Sequence, residues 1–368
     1  MQNMKLKELF ETISPVFIDA KSLSITVGLS RRFFLFTFTK NLISSLEEDP
    51  YLNFISLLKS YKILGKFLYG TISEFYRDRN KIYFKKFFAD EQLYELIRND
   101  IEWLAASYGH IKVTISKNGL IVYDNYQKNK FNVLLFTIHS GNWVPGLIRE
   151  KMHVSKEQRH LQEDTYSNRL YCNLVLKKNG IWIDNKQSRF ACDFNRPQHL
   201  SVYKDKQEPW VDKVWKEPLT EPEIKELQKS HVTFYLTLRQ IIDSYRFNII
   251  FDGHTMTDAK DRSEISFGTE FIPNFYMPVV LSMREKLKKL GYTSVSFNSP
   301  YYGGNILRWL KKSAPDLFIC SMEINKKLYM NEAHNNILKA KLQKITDDLE
   351  NIFNMEIKQI NKLHKNGR

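Results

Sequence analysis

The sequence predicts an α/β fold in which a largely parallel or mixed sheet is flanked by helices. Three short apolar runs, at 133–138, 247–251 and 317–324, are rich in β-branched and large apolar residues, which is typical of buried strands. Segments with helical periodicity lie between these runs, at 222–245 before the second run and at 282–290 before the third. Because strands and helices alternate along the chain, we expect helices packed on one common sheet.

Residues 1–110 are predicted to form a helical extension of unknown role, and residues 111–368 a separate domain. The clearest helix of the extension begins after Asp90, a residue type favoured at N-caps, and ends at Gly109. No constellation of catalytic side chains occurs in this region. We therefore expect it to cover a cleft or to bind a protein partner.

Turn residues and periodicity predict the other elements of the domain. The pair Asn118-Gly119 supplies positive φ angles at low cost and predicts a hairpin. The segment 193–218 is polar and contains three prolines, which indicates an active-site loop rather than a linker. The remaining predicted elements are strands at 111–115, 120–123, 181–184 and 293–297, and helices at 165–176 and 338–352.

The composition restricts the class of protein. The chain has 368 residues and a net charge of +14, but no block of five basic residues and no nucleic-acid-binding motif. The charge therefore indicates a solvated basic surface or a small anionic substrate, and argues against nucleic acid as a partner. Three scattered cysteines fit neither a disulfide framework nor a cysteine metal site. Without a signal peptide or a membrane-spanning apolar run, we expect a soluble, cytoplasmic protein.

Side chains that can bind a metal follow the predicted strands. His139 and His254 each follow a buried run, Glu323 lies near the end of a third, and Glu163-Asp164 lies between the histidines. Functional groups of open α/β sheets gather beyond the carboxyl ends of the strands, and catalytic zinc takes three ligands from His, Asp or Glu. A carboxylate near such a metal can accept the proton of an attacking water. The set therefore matches the needs of metal-assisted amide hydrolysis, but its members are far apart in the sequence and their spacing alone does not establish it.

Short motifs in a fixed order resemble those of a known family over residues 131–330. They are Ile138-His139-Ser140-Gly141, Asp164 ahead of Arg169-Leu170-Tyr171, Asn195-Arg196-Pro197, His231 with Phe234-Tyr235, Asp252-Gly253-His254-Thr255-Met256, the segment 264–269, the segment 298–304 and Met322-Glu323-Ile324-Asn325. The family is that of the N-formylglutamate amidohydrolases. The resemblance implies their metal-dependent, zinc carboxypeptidase-like fold, a three-layer mixed sheet flanked by helices.

The resemblance also implies a role for each matching residue. His139, His254 and Asp164 would bind one Zn²⁺ per chain, with Glu163 as the alternative to Asp164, and Glu323 would be the general base. Asp252 would contact a metal-binding histidine rather than the metal and would orient its ring. The implied substrate-binding residues are Asn195 and Arg196 for a substrate carboxylate, and Tyr301, Tyr302, Gly303, Gly304 and His231 for the pocket wall. For His231, packing of its helix is the alternative.

The chain departs from the family pattern at three positions. Asn142 stands where the carboxypeptidase branch carries a second ligand, so this turn supplies one ligand. Tyr235 stands where the family often has a histidine, and Asn168 where it often has an acidic residue. We expect the substrate to be a carboxylate-bearing N-formyl or N-acyl amino acid, or a peptide C-terminus. The alternatives are a metallocarboxypeptidase acting on a protein tail and a non-catalytic binding protein on a hydrolase fold.

Overall fold

A computed structural model describes residues 24–29, 34–38, 90–107, 111–116, 118–204 and 211–366. The chain divides into two compact units, residues 1–125 with 225–245 and residues 126–224 with 246–368. All of the predicted site residues except His231 belong to the second unit.

The first unit contains an antiparallel sheet in the strand order β2-β1-β3-β4 and a helix, α1. The bounds are β1 (Ser24–Leu29), β2 (Phe34–Phe38), α1 (Glu91–Ser107), β3 (Ile111–Ser116) and β4 (Leu120–Asn125). The hairpin formed by β3 and β4 is confirmed, and Gly119 in its turn has a φ of +81°. The helix α1 also matches its prediction.

The strands β1 and β2 were not predicted, since residues 1–110 were expected to be mostly helical. Both segments are rich in the β-branched and aromatic side chains that favour strands, as in Ser24-Ile25-Thr26-Val27 and Phe34-Leu35-Phe36. The rest of the predicted extension before Asp90 lies outside the described residues.

The second unit contains a mixed sheet in the strand order β6-β5-β7-β10-β8-β9. The bounds are β5 (Val133–Thr137), β6 (Gly180–Asn185), β7 (Ile249–Met256), β8 (Ile265–Gly268), β9 (Val295–Phe297) and β10 (Phe318–Asn325). The first four strands in this order are parallel, whereas β8 runs antiparallel to β10. Every residue of β5, β6, β7 and β10 is buried, which fits parallel strands covered on both faces. The predicted α/β class is confirmed.

Helices alternate with these strands along the chain. In chain order they are α2 (Gly146–Arg149), α3 (Lys156–Gln162), α4 (Ser167–Tyr171), α5 (Asn173–Leu176), α6 (Glu221–Ser244), α7 (Met277–Lys289), α8 (Asn305–Ser313) and α9 (Lys339–Asn366). The single helix predicted at 165–176 is two short helices, α4 and α5. The helix α3 was not predicted because its polar sequence has no apolar periodicity; the capping box of Ser155 and Gln158 starts it. None of the helices within the described residues is both long and apolar enough to cross a membrane.

The parallel strands bring polar side chains to one edge of the sheet. His254 in β7 lies in register with Glu323 in β10, so both side chains point to the same face. His139 follows β5, the neighbour of β7 on its other side, by two residues. The carboxyl ends of these three adjacent strands therefore frame one site.

Candidate metal centre

The turn after β5 holds His139 in place through its backbone. The amide N–H of Asp164 donates to the carbonyl oxygen of His139 at 2.9 Å. On the other side, Asn185 Nδ2 donates to the carbonyl of Ile138 at 3.1 Å. These bonds fix both His139 and the chain that carries Asp164.

The side chains of His139, Asp164 and His254 converge as a buried group whose ligand atoms all lie within 4.8 Å of one another. Asp164 Oδ2 is 2.7 Å from Nδ1 of His254 and 3.6 Å from Nδ1 of His139. The longer distance exceeds a hydrogen bond, and the buried Nδ1 of His139 has no hydrogen-bond partner among the described residues. Buried polar atoms are nearly always satisfied. A divalent cation between the three side chains would satisfy this one.

A second carboxylate lies behind each histidine. Asp193 Oδ1 is 2.8 Å from Nε2 of His139, and Asp252 Oδ2 is 2.9 Å from Nε2 of His254. Metal-binding histidines commonly donate their other ring N–H to a carboxylate, which fixes the tautomer and leaves the facing nitrogen as a ligand. His139 has this arrangement with Asp193, whereas Asp252 lies at ion-pair distance from His254 without a hydrogen bond among the described residues. Nδ1 of each histidine lies on the side of Asp164.

Charge compensation in the cluster shifts several pKa values. Burial alone would raise the pKa of Asp164, but the side chains of His139 and His254 lower it below its ordinary value. Burial would lower the pKa of His254, whereas Asp252 and Asp164 raise it well above its ordinary value. The Asp164 carboxylate is therefore held ionised, whereas a cation that binds His254 would have to displace a proton from that imidazole.

Glu323 is a carboxylate of the site that no described side chain holds in a hydrogen bond or ion pair. It is buried, lines the cavity and forms no hydrogen bond or ion pair with the described residues. Burial raises its pKa to about 8, although the charge of His254 opposes the shift. A buried carboxylate with a perturbed pKa in a cleft is a candidate proton acceptor.

The two candidates for the carboxylate ligand point in different directions. Glu163 Oε1 accepts a hydrogen bond from Ser188 Oγ at 2.5 Å and lies 3.4 Å from Nε of Arg159. Burial raises the pKa of Glu163 to about 7. Because its side chain is held in this separate contact, the geometry favours Asp164 as the ligand.

The buried side chain of Lys326 fixes the chain that leads to Asp164. Its ammonium donates to the carbonyl oxygens of His160, Leu161 and Glu163 at 3.0, 2.7 and 2.6 Å. Burial lowers the pKa of Lys326 to about 8. Since Lys326 follows β10, it ties this loop to the strand that carries Glu323.

A cavity of about 210 Å³ opens onto the cluster. The predicted residues that line it are His139, Asp164, Asn195, His254, Tyr301, Tyr302, Gly303, Gly304 and Glu323. Tyr302 is 59% exposed and stands at the rim. The structure thus brings the predicted cluster, base and pocket wall together around one space.

Asn195 packs against Gly304 in the pocket wall. Asn195 Oδ1 accepts from the backbone N–H of Ile306 at 3.0 Å. A Cβ at Gly304 would lie 2.0 Å from Asn195 Nδ2, so a larger residue would displace Asn195. Gly303 has a φ of +131°, which other residues rarely adopt.

Arg196 and His231, both predicted to bind substrate, are not among the residues that line this cavity. The guanidinium of Arg196 lies 4.7 Å from the ring centroid of Tyr203, and its Nε is 3.8 Å from Asp193 Oδ2. His231 is a buried residue of α6 in the first unit, and its ring lies 4.7 Å from that of Tyr235. This contact agrees with the alternative interpretation of His231, in which its side chain packs its helix rather than binding substrate.

Sequence reasoning missed three residues of the site. Asp193, which supports His139, lies in an irregular segment without periodicity. Arg189 and Arg262 line the cavity but lie outside the quoted motifs. For Asp193, the only available signal was its place two residues before the Asn195-Arg196 motif.

The comparisons with known proteins identify the family of the chain and agree with its fold. The family model of the N-formylglutamate amidohydrolases matches residues 131–330, more than half of the chain. The class of protein is therefore that of the amidohydrolases. The chain belongs to the N-formylglutamate amidohydrolase family. No curated protein matches the sequence.

Solved structures align with the chain at low sequence identity. The N-formylglutamate amidohydrolase from Ralstonia eutropha has a TM-score of 0.52 and 14% identity, and the match covers 67% of this chain and 99% of that one. A gene product from Agrobacterium tumefaciens has a TM-score of 0.49 and 17% identity, over 66% and 96% of the two chains. A metallo-carboxypeptidase from Burkholderia cenocepacia has a TM-score of 0.31 and 9% identity, over 66% and 61%. The first match supports the predicted mixed α/β fold.

Proposed function

We propose that the protein hydrolyses an amide bond in a small substrate that carries a carboxylate, with the help of a divalent metal ion. The main support is the convergence of His139, Asp164 and His254 next to an uncommitted carboxylate, Glu323, in a chain of this amidohydrolase family. N-formyl or N-acyl amino acids are the first candidate substrates, and a peptide C-terminus is the second.

The donor set fits zinc. Two imidazole nitrogens and one carboxylate oxygen are a common zinc set that leaves a coordination position for water or substrate. A zinc ion held there would polarise the substrate carbonyl and make a water molecule more acidic. The carboxylates of Asp193 and Asp252 would keep the two histidines in the ligand tautomer.

Glu323 would move the proton. Its carboxylate takes a proton from the attacking water while the oxygen of that water bonds to the amide carbon. The same proton then passes to the leaving nitrogen as the C–N bond breaks, so that one water and one amide give a carboxylic acid and an amine. Nearby positive charge would favour the ionised form of Glu323 that this step requires.

The test combines metal analysis with substitution of one ligand. We expect the purified protein to contain about one equivalent of zinc and to hydrolyse a member of a panel of N-formyl amino acids, N-acetyl amino acids and short peptides. His254→Ala should lose both the metal and the activity, whereas His153→Ala, at an exposed position, should keep both. Wild-type protein without divalent metal, together with a fully active His254→Ala, would refute the zinc proposal.

A further inference from the structure

Three arginines lie at or near the candidate active site, and two of them are next to the same carboxylate. Arg189 Nη2 is 2.9 Å from Asp193 Oδ2, and Arg196 Nε is 3.8 Å from the same atom. Asp193 also accepts a hydrogen bond from Tyr203 Oη at 2.7 Å. Arg189 and Arg196 therefore each have an anionic partner within the protein, although the two guanidinium groups share one carboxylate.

Arg262 differs from these two. It lies in the loop between β7 and β8, is partly buried and lines the cavity with the His139–Asp164–His254 cluster. Its Nη1 donates to the carbonyl of Thr257 at 2.8 Å, which holds the side chain in place. Within the part of the chain that the structure describes, Arg262 forms no ion pair with any carboxylate.

The surroundings of Arg262 suit an anionic ligand. The guanidinium carbon lies 6.0 Å from the ring centroid of Tyr301, which lines the same cavity. A partly desolvated guanidinium without an anionic partner gains most from a planar anion that can accept two of its N–H groups. A carboxylate is such an anion.

We propose that Arg262, rather than Arg196, binds the carboxylate of the substrate. This inference rests on the proposed function and deepens it, because it assigns the recognition of the substrate's free carboxylate to the β7–β8 loop. It makes Arg262 a specificity-determining residue. An amide or ester in place of the carboxylate could not accept the same paired, charged hydrogen bonds.

The experiment compares paired substrates in paired variants. An N-formyl amino acid and its carboxamide are assayed with wild-type protein, Arg262→Met, Arg262→Lys, Arg196→Met and the surface control Arg284→Met. Charged hydrogen bonds contribute roughly 1.5–3 kcal/mol, or about 10- to 150-fold. We expect Arg262→Met to raise KM for the carboxylate substrate by about that factor and to leave the carboxamide nearly unchanged. Arg262→Lys should show an intermediate KM, and Arg284→Met should behave like wild type.

A binding measurement separates this proposal from the proposed function. Calorimetry with L-glutamate, a carboxylate-bearing amino acid that contains no scissile amide, reports recognition without turnover. If wild-type protein hydrolyses no substrate but binds glutamate, and Arg262→Met loses that binding, the anion site stands while the proposed function fails. Arg262 is the wrong residue if Arg262→Met keeps the preference for carboxylate over carboxamide, or if only Arg196→Met abolishes that preference. The proposal also fails if wild-type protein binds neither substrate nor glutamate. Circular dichroism checks that each variant folds, and Arg262→Lys carries the test if Arg262→Met does not.

Discussion

Two buried polar clusters near the carboxyl ends of the parallel strands each contain an aspartate but differ in charge compensation. In the first, which we call the β6 cluster, Lys186 Nζ lies 2.5 Å from Asp184 Oδ2. The hydroxyls of Thr137 and Ser140 donate to Asp184 Oδ1 at 2.7 and 2.5 Å. Both oxygens of this fully buried carboxylate have partners inside the protein.

The second, which we call the metal cluster, consists of His139, Asp164, His254 and Glu323. Here Nδ1 of His139 lacks a hydrogen-bond partner, and Glu323 has neither a hydrogen bond nor an ion pair within the described residues. The comparison teaches that a buried carboxylate at a strand end does not by itself indicate a function. Buried polar atoms without a partner also occur in Gln187, next to Lys186. The informative feature is such an atom in a group of converging metal-binding side chains.

The largest expected effect comes from Glu323 in the metal cluster. Glu323→Gln keeps the size of the side chain but cannot accept a proton, and general bases contribute roughly 10²–10⁴-fold to the rate. We expect kcat to fall by about a thousandfold, with zinc content unchanged by elemental analysis. Glu332→Gln, at an exposed position, is the control. A variant of Glu323 with wild-type kcat would remove it from the mechanism.

Matched substitutions of the two aspartates compare the clusters directly. Asp184→Asn leaves the ammonium of Lys186 buried without its charge partner, and breaking such pairs costs roughly 3–5 kcal/mol. We expect this variant to lose about that much free energy of unfolding in urea denaturation but to keep its zinc. Asp164→Asn should instead lose zinc, with a smaller loss of stability measured on metal-free protein. The reverse pattern would show that the two clusters have been assigned the wrong way round.

A smaller effect is expected in the pH dependence of stability. Burial raises the pKa of Glu163 from 4.5 to about 7. Between these values the folded state binds more protons than the unfolded state, so Glu163 lowers the stability as the pH rises. At 1.36 kcal/mol per pKa unit, the change is at most about 3 kcal/mol.

The measurement is urea unfolding at several pH values between 4.5 and 7. Glu163→Gln should lose less stability than wild-type protein over this window, whereas Glu332→Gln should follow wild type. Parallel curves for wild type and Glu163→Gln would mean that the carboxyl of Glu163 is not perturbed in the folded protein.

The parts of the site that lie on strands were predictable from the sequence. His139, His254 and Glu323 follow or end buried apolar runs, and parallel strands present their carboxyl ends at one edge. Asp164 needed the family resemblance, because a loop residue has no periodicity that indicates where its side chain points. For the same reason the sequence could not show that Arg196 packs on Tyr203 and lies outside the cavity lining.

The secondary structure shows the same contrast between long patterned segments, which were predictable, and short ones, which were not. Long periodic or apolar segments such as α6 and β10 agree with their predictions to within one residue at each end. The strand β7 continues five residues beyond its predicted end, so that His254 lies within the strand. The strand β8 was missed because its four residues are too few to establish a period. The strands β1 and β2 were missed because their apolar content was assigned to helices.

The three hydrogen bonds from Lys326 restrict how this chain can vary in length. Three carbonyls in four consecutive residues, 160–163, are held at one point, directly before Asp164. An insertion or deletion in this segment would shift Asp164 relative to both histidines. We therefore expect homologous sequences to align without gaps across 159–164, and to accept insertions in the largely exposed loop at 331–336.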